Sequence, residues 1–336
     1  MKVAIHHTPN IGFSQTWYDY CMENNIEVKL VNVYDSDIVL QLADCDAFLW
    51  HHHQNNYRDV LFAKQLLFSL ERKGLRVFPN YNTTWHFDDK IGQKYLLEAL
   101  NLPLVPSYIF YNKKDAMRWI ASTSFPKVFK LRGGAGSLNV RLVKNARIAR
   151  ALTRKAFGRG FTPLNSWVYC KDRIRKFWDG KDSLLGFCKG IGRLILPAEY
   201  TKMHPREKGY IYFQDFIPDN NFDIRIIVTG DKAIGIKRVV RKGDFRASGS
   251  GDILYAKKDI DERCIKIAFD CNKKIQSQSI AFDFVFSESN SPLLVEISYG
   301  YSQEVYYSCV GYWDESLNFY PGKVTPVRWI IENLLK

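Results

Sequence analysis

The first third of the chain alternates short apolar runs with segments of helical period, and this alternation restricts the fold more than any other feature. Apolar or alternating runs at 2–5, 27–33, 46–50 and 76–79 predict strands. Between the last two runs, apolar residues from Asp59 to Lys73 recur every 3.6 residues, and Gly74 follows as a C-cap. Because strands separated by helices need crossover connections, we expect a mostly parallel sheet in a first α/β domain, residues 1–85.

Composition excludes several classes of protein. Hydrophobic residues make up 46% of the 336 and charged residues 25%, which is typical of a globular chain and not of a disordered one. No apolar run approaches the roughly 18 residues that cross a bilayer, and the N-terminal run is too short for a signal peptide. Seven cysteines without a CxxC pair argue against a disulfide framework or a zinc ribbon. We therefore expect a reduced, cytoplasmic protein without a membrane span.

The chain is strongly basic. It has 48 Lys and Arg against 35 Asp and Glu, a net charge of +13. Residues 152–208 alone carry 13 Lys and Arg against 5 Asp and Glu. Such a surplus indicates an anionic partner, for example nucleic acid, anionic lipid, nucleotide phosphates or an acidic substrate. A solvated basic surface would give the same pattern.

A glycine-rich segment, Arg-Gly-Gly-Ala-Gly-Ser at 132–137, joins two apolar runs at 127–131 and 140–143. On its own it is compatible with a plain β-hairpin, since glycine tolerates positive φ. Backbone amides without Cβ atoms nearby also close well over phosphate oxygens. Lys130, within the first apolar run, favours the second interpretation because an inward-pointing lysine needs an anionic partner.

Two further groups of charged residues interrupt apolar strands. Asp283 and Glu296 lie in the runs 280–286 and 293–297, and burying both is costly unless a cation sits between them. Divalent cations such as Mg²⁺ accept this type of ligand, although each carboxylate could instead face solvent on an alternating strand. The other group contains four arginines suited to clamping phosphate or carboxylate, or to forming an exposed basic face: Arg225, Arg238, Arg241 and Arg246.

In this order, these features resemble the ATP-grasp superfamily, and specifically its carboxylate–amine ligase branch, which includes ligases that add glutamate to a ribosomal protein. The likeness extends from about Pro79 to Tyr299. The segments that carry it are Asp89-Lys90, the run 126–130 with the glycine-rich hairpin, Gln214-Asp215-Phe216-Ile217, Asp223-Ile224-Arg225, Gly243-Asp244-Phe245-Arg246, Asp283, and Val295-Glu296-Ile297-Ser298.

The resemblance implies a fold. The parallel α/β domain at residues 1–85 corresponds to the substrate-side domain, and an ATP-grasp domain of two α+β subdomains occupies residues 86–336. The first subdomain spans about 86–208 and includes the glycine-rich lid and the basic insertion 152–208. The second spans about 209–336 and includes the two carboxylates.

The resemblance also implies roles for individual residues. Those that would bind ATP, through its phosphates, adenine or ribose, are Lys90, Lys130, Gly133, Gly134, Gly136, Ser137, Gln214, Asp215, Phe216, Ile217 and Asp223. Those that would face the γ-phosphate and the substrate carboxylate are Arg225, Arg238 and Arg246. Those that would ligate Mg²⁺, or Mn²⁺ in its place, are Asp283, Glu296 and Ser298.

The implied function is an ATP-dependent ligase that activates a carboxylate as an acylphosphate, lets an amine attack it, and releases ADP and phosphate. The positive charge favours an acidic sugar or peptide as the carboxylate substrate. Ser298 replaces the family's usual asparagine, and Ser248 stands where relatives often carry another. A nucleotide-binding protein with weak or no ligase activity is therefore the alternative. Nucleic-acid binding would explain the charge but neither the paired carboxylates nor the Lys130 arrangement.

His51, His52 and His53 follow a predicted parallel strand, where α/β sheets commonly bind ligands. They are either ligand contacts or ordinary polar loop residues. A metal site made of all three is not expected, because adjacent residues in extended chain point to opposite faces. The sequence does not identify the two substrates, the pathway or the oligomeric state, although it is compatible with a dimer.

Overall fold

The computed structural model describes residues 1–8, 12–134, 139–162, 203, 205–240, 245–247 and 252–336. Within these ranges the strands form a parallel sheet near the N-terminus and two antiparallel sheets. This arrangement confirms the predicted fold class, an α/β unit followed by α+β structure. None of the helices in the described ranges is long and apolar enough to span a membrane.

The first sheet is parallel, with the order β2-β1-β3-β4. Its strands are β1 (Lys2–His6), β2 (Glu27–Val31), β3 (Ala47–Leu49) and β4 (Arg76–Phe78). The helices in this part of the chain are α1 (Ser14–Glu23), α2 (Ile38–Gln41), α3 (Tyr57–Arg72) and α4 (Tyr81–Thr84). All four strands and α3 lie where the apolar pattern predicts them.

The second sheet is antiparallel, with the order β5-β8-β6-β7. Its strands are β5 (Ser107–Phe110), β6 (Lys127–Lys130), β7 (Arg141–Val143) and β8 (Ile211–Asp215). The helices around it are α5 (Lys90–Ala99), α6 (Lys113–Ser122) and α7 (Ala146–Ala156). β6 and β7 pair as the hairpin that the glycine-rich segment predicts.

The third sheet is the largest, with the order β13-β12-β9-β10-β14-β15 and β11 paired to β10. Its strands are β9 (Phe222–Thr229), β10 (Lys232–Val239), β11 (Ile253–Leu254), β12 (Ser279–Phe286), β13 (Pro292–Ser298), β14 (Gly311–Asp314) and β15 (Phe319–Pro321). Helix α8 (Glu262–Ile275) buries one face against β9, β10 and β12, and α9 (Pro326–Leu335) ends the chain.

Helix α7 (Ala146–Ala156) extends into the start of the basic region and is not among the elements predicted from the sequence. Its buried positions include Ala149, Leu152, Thr153 and Ala156. These four positions follow the i, i+3, i+4, i+7 spacing of an amphipathic helix whose other face carries arginines, so the helical signal is present in the sequence. Most of the predicted basic insertion, residues 163–202 and 204, lies outside the described residues.

Two apolar cores position the elements that matter for function. One joins the first sheet to the third, and Trp17 of α1 donates its indole N–H to the carbonyl of Val327 in α9 at 3.1 Å. The other packs α5 and α8 against the third sheet and contains Leu97, Ile224 and Phe282. Since α5 begins at Lys90, this second core anchors a predicted phosphate-binding residue. The division at residue 85 stays a prediction.

We expect Leu97→Ala to lower the free energy of unfolding by about 2–5 kcal/mol, because its side chain is fully buried and its removal leaves a cavity. Chemical denaturation at pH 7 measures the change. Leu40→Ala is the matched control, since Leu40 is 77% exposed and its truncation should have little effect. Equal destabilisation by the two variants would contradict the packing of α5 described here.

Candidate active site

A cavity of about 760 Å³ lies between the second and third sheets. Strands β6 and β8 contribute residues from one side, and β9, β10, β12 and β13 from the other. The sequence-predicted residues that line it are Lys130, Gln214, Asp215, Phe216, Ile217, Asp223, Arg225, Arg238, Arg246, Asp283, Glu296 and Ser298. The structure thus brings most of the predicted site together in one place.

Strand register explains why the charged residues of the third sheet meet. Asp283 on β12 is the register partner of both Arg225 on β9 and Glu296 on β13. Asp223 on β9 is opposite Arg238 on β10. Since side chains alternate with period two, Asp223 and Arg225 share a face with these partners. The sheet therefore presents a charged row of acidic and basic side chains toward the cavity, in which the carboxylates of Glu296 and Asp283 are neighbours.

Asp283 is the centre of this row. Arg225 donates to both of its carboxylate oxygens, with Nε at 2.5 Å and Nη2 at 2.6 Å, and Nη2 of Arg238 lies 3.1 Å away. Arg238 also binds both oxygens of Asp223, at 2.6 and 2.7 Å. Burial opposes ionisation of Asp283, but the two guanidinium groups hold its pKa well below its usual range. At Asp223, the effect of burial is larger than the opposing attraction of Arg238, so the pKa of that carboxyl is raised.

Glu296 is paired with Lys90 of α5, whose Nζ lies 3.1 Å from its carboxylate. Burial opposes ionisation of Glu296 too, and Lys90 and Lys130 lower its pKa nonetheless. Side-chain cations therefore balance both carboxylates. The expected compensating cations are thus present as lysine and arginine side chains, while the metal site stays a prediction. The alternative that both carboxylates simply face solvent does not hold, since Asp283 is only 8% exposed.

Lys130 is the buried cation of the site that has no carboxylate partner. Its side chain is 4% exposed, and its Nζ donates to the carbonyl of Val295 at 3.4 Å. Within the described part of the chain, no carboxylate oxygen lies within 4 Å of it. Burial lowers its pKa to about 8, against an attraction from Glu296 that raises it. The predicted anionic partner of Lys130 is thus not supplied by a neighbouring carboxylate.

The start of the glycine-rich hairpin is attached to the beginning of α5. The amide of Gly134 donates to Asp88 Oδ1 at 2.8 Å, and Lys90 Nζ donates to the carbonyl of Gly134 at 2.9 Å. Gly134 has φ of 110°, which favours glycine, and Gly133 lies against Asp88. Burial raises the pKa of Asp88 to about 6. Gly136 and Ser137 lie outside the described residues, so the predicted lid is seen only at its base.

The predicted adenine segment lines the cavity, but its first two side chains are already engaged. Gln214 donates to the hydroxyl of Ser107 at 3.0 Å, and Asp215 accepts from Lys127 at 2.6 Å. The backbone of this segment, with Phe216 and Ile217, is left to contact a bound base. Apolar side chains that complete the walls are Val105, Val128, Val140, Val285 and Val295.

The predicted metal ligand Ser298 is already engaged in local hydrogen bonds, and several residues of interest after β10 are not described. The Ser298 hydroxyl donates to the carbonyl of Gly300 at 3.0 Å and accepts from its amide at 3.2 Å. Only one lone pair then remains for a metal. Among the described residues, no three His, Cys, Asp or Glu side chains form a metal-binding group. Arg241, Gly243, Asp244 and Ser248 lie outside the described residues.

The sequence analysis did not find several cavity residues. Asp88 directly precedes Asp89, the N-cap of α5. Because helix capping explains an acidic residue at this place, the sequence carries no separate signal for Asp88. Gln93 of α5 donates to the carbonyl of His86 and accepts from the amide of Ile297 on β13. A single glutamine forms no recognisable sequence motif, so it could not be predicted. A second cavity of about 370 Å³ adjoins the first, and its lining includes His51, His53, Gln303 and Glu304.

The three histidines divide as the alternation of extended chain predicts. The buried side chain of His52 contacts the Thr84 hydroxyl at 2.5 Å, and its carbonyl accepts from Tyr299 at 2.6 Å. His51 and His53 both line the second cavity. The three side chains therefore do not converge on one point.

We expect Lys130→Met to raise the free energy of unfolding of the ligand-free protein. Below pH 8 the lysine is charged in both the folded and the unfolded chain, so wild type carries the full burial penalty, on the order of 3 kcal/mol. Between pH 8 and the ordinary value of 10.5 the folded lysine loses its proton first, and the difference should shrink.

Denaturation at pH 7 and at about pH 9.5 tests both parts of this prediction. Lys144→Met is the control, because Lys144 is exposed and should show neither effect. A Lys130→Met variant that is less stable than wild type at pH 7 would contradict the account of Lys130 as an unpaired buried charge.

Comparison with known proteins agrees with this geometry. A RimK-like ATP-grasp domain family matches residues 196–306. Among curated proteins, alpha-aminoadipate–LysW ligase LysX of Saccharolobus solfataricus is 22% identical over 275 residues, covering 80% of this chain and 82% of that protein.

Solved structures show the same fold. The RimK domain ATP-grasp protein of Sphaerobacter thermophilus superimposes with a TM-score of 0.57 at 15% identity, covering 99% of both chains. The D-alanine–D-alanine ligase of Bacillus anthracis, solved with ATP, gives 0.52 at 13% identity, covering 89% of this chain and 86% of that one. The resemblance to the ATP-grasp superfamily is confirmed for the fold: this chain has the ATP-grasp fold, and its residues 196–306 match a RimK-like ATP-grasp domain.

Proposed function

We propose that this protein is an ATP-dependent carboxylate–amine ligase. It would transfer the γ-phosphoryl group of ATP to a carboxylate, and an amine would attack the resulting acylphosphate, releasing phosphate. The observation that carries the proposal is Lys130, a buried cation with no carboxylate oxygen within 4 Å among the described residues, lining a cavity that Asp283 and Glu296 also line. The RimK-like domain match and the LysX relative support the same class of enzyme.

We assign ATP one orientation in the cavity. The apolar walls and the backbone of 214–217 suit the adenine, and the charged row suits the triphosphate. Lys130 and Lys90 would then contact phosphate oxygens, and the Gly134 end of the hairpin would lie above them, since Lys90 already binds its carbonyl. We assign the ribose to Asp223, which would share its carboxylate with Arg238.

The donor set also fits Mg²⁺. Asp283 and Glu296 are hard oxygen donors on neighbouring strands, and the pKa of each is held below its ordinary value, so both are ionised at neutral pH. Mg²⁺ bound there would neutralise charge on the phosphoryl group being transferred. Because two protein carboxylates do not complete an octahedral shell, phosphate oxygens and water would supply the remaining ligands.

Three arginines would stabilise the reacting groups. Arg225, Arg238 and Arg246 all line the cavity, and the first two stand beside Asp283. Guanidinium groups bind phosphate and carboxylate through paired N–H donors, so they can hold the substrate carboxylate near the γ-phosphate while offsetting their mutual repulsion. Positioning and charge stabilisation of this kind account for most of the catalysis of phosphoryl transfer.

A nucleotide-binding protein with weak ligase activity is the second candidate. Ser298 favours it, because the family's asparagine is absent and the serine hydroxyl is engaged with Gly300. A poorly completed metal site would bind ATP and transfer phosphate slowly. Assays of binding and of turnover separate the two candidates.

Lys130→Met should weaken ATP binding about tenfold to a hundredfold, since a charge-assisted contact with phosphate contributes roughly 1.5–3 kcal/mol. Isothermal titration calorimetry with ATP and Mg²⁺ measures this, again with Lys144→Met as the control. Unchanged affinity in the folded variant would remove Lys130 from the phosphate site.

The reaction should depend on a carboxylate. With ATP and Mg²⁺, we expect ADP and phosphate to appear only when a suitable sugar acid or acidic amino acid is added, and hydroxylamine to intercept the acylphosphate as a hydroxamate. A carboxylate panel screened for coupled ADP release and hydroxamate finds the substrate class. Tight ATP binding without either product across the panel would favour the second candidate.

Asp283→Asn and Glu296→Gln should each abolish this Mg²⁺-dependent turnover, because each removes a charged oxygen donor while nearly preserving shape. The exposed carboxylates Asp270 and Glu288 provide matched controls, Asp270→Asn and Glu288→Gln, which should retain full activity. Full turnover by either cavity variant would mean that its carboxylate holds no metal.

A further inference from the structure

The second cavity is built from polar groups and adjoins the first. Its volume is about 370 Å³, room for a group the size of an amino acid or an amino sugar. Arg225, Gln54 and Gly300 line both cavities, so the second opens beside the place assigned to the activated carboxylate. The remaining residues that line it are Gly12, His51, His53, Tyr301, Ser302, Gln303 and Glu304.

His51 is held in place without a hydrogen bond. Its ring stacks on Phe13 with centroids 3.8 Å apart and planes 3° from parallel, and Tyr299 meets it edge-on. A Cβ on Gly12 would lie 2.5 Å from Nδ1, so only glycine leaves room for this ring. No described residue hydrogen-bonds either ring nitrogen. Burial lowers the pKa of His51 to about 3, so the imidazole is neutral and one nitrogen offers a lone pair.

His53 presents a donor to the same cavity. The amide of Asn55 donates to His53 Nδ1 at 3.1 Å, which leaves the ring proton on Nε2 in the neutral tautomer. Asp59, at the start of α3, accepts from the backbone N–H of His53 at 2.7 Å and from the Tyr34 hydroxyl at 2.5 Å. The segment that carries both histidines is therefore fixed by buried hydrogen bonds.

Glu304 makes the second cavity locally negative. Among the described residues, no Lys, Arg or His nitrogen lies within 4 Å of its carboxylate, which accepts only from the Ser302 hydroxyl. Arg225, the other formal charge in the lining, is neutralised by its two contacts with Asp283. Glu304 is itself exposed, and as the one formal charge in the described lining that no ion pair balances it favours a cationic ligand.

We infer that the second cavity binds the amine substrate of the ligase as a primary ammonium, which Glu304 and His51 hold beside Arg225. Glu304 supplies the countercharge, and the unpartnered His51 nitrogen accepts one N–H. His53 Nε2–H and the Gln54 side chain face the rest of a small polar molecule. This inference rests on the proposed ligase function, and it identifies the nucleophile as a compact amine that enters from the side of the first sheet.

Binding can be tested without turnover. In protein labelled with ¹⁵N at histidine, a His51→Gln variant identifies the His51 imidazole signals. Two ammonium probes, glycinamide and D-glucosamine, are titrated at pH 7 in the absence of ATP, beside their uncharged matches, glycolamide and D-glucose. We expect at least one ammonium probe to shift the His51 signals saturably, and its uncharged match to shift them at least about tenfold less.

The variant Glu304→Gln should weaken the response to that probe about tenfold or more, and Glu288→Gln should leave it unchanged. The inference is overturned if neither ammonium probe shifts the His51 signals, if the uncharged match shifts them equally, or if Glu304→Gln responds as wild type does. Failure of the ligase assay would leave these binding results unaffected. Conversely, the absence of any probe response would overturn the amine site without bearing on carboxylate-dependent hydroxamate formation by the wild-type protein, so the two proposals fail separately.

Discussion

Asp283 and the two arginines that bind it are the interaction on which the rest of the site depends. A carboxylate that is 8% exposed is stable only if its charge is matched, and Arg225 and Arg238 do this from two neighbouring strands. The match requires the antiparallel register of β9, β10 and β12. Sheet pairing and site electrostatics therefore depend on the same residues, since a slip of one residue would turn these side chains to the opposite face.

The charges that hold the ligand-free site together are the ones that a nucleotide would use. Lys90 compensates Glu296, and the arginines compensate Asp283, while Lys130 stays buried with no carboxylate oxygen within 4 Å among the described residues. In the proposed function, metal ion and triphosphate arrive as a pair of opposite charges. The metal would take over the carboxylates and the phosphates would take over the cations, so the balance of charge in the cavity is kept.

Much of the fold and of this site could be predicted from sequence because the signals are local. Single charges inside apolar runs mark Lys130, Asp283 and Glu296, and strand alternation predicts the separation of His51 and His53 from His52. What could not be predicted depends on distant parts of the chain meeting. The Lys90–Glu296 pair joins α5 to β13, and Glu304 meets the histidines only after the first and third sheets pack together. Helix α7 has the spacing of an amphipathic helix and could have been predicted, although small residues make up most of its buried face.

The central claim is that this cavity activates a carboxylate by phosphoryl transfer. Oxygen transfer tests it most directly. With a turned-over substrate whose carboxylate is labelled with ¹⁸O, phosphate released in the complete reaction with ATP, Mg²⁺ and an amine is examined by mass spectrometry. An acylphosphate intermediate predicts one ¹⁸O in each phosphate, since the C–O bond to the phosphoryl group breaks when the amine attacks. Phosphate free of ¹⁸O would contradict the account.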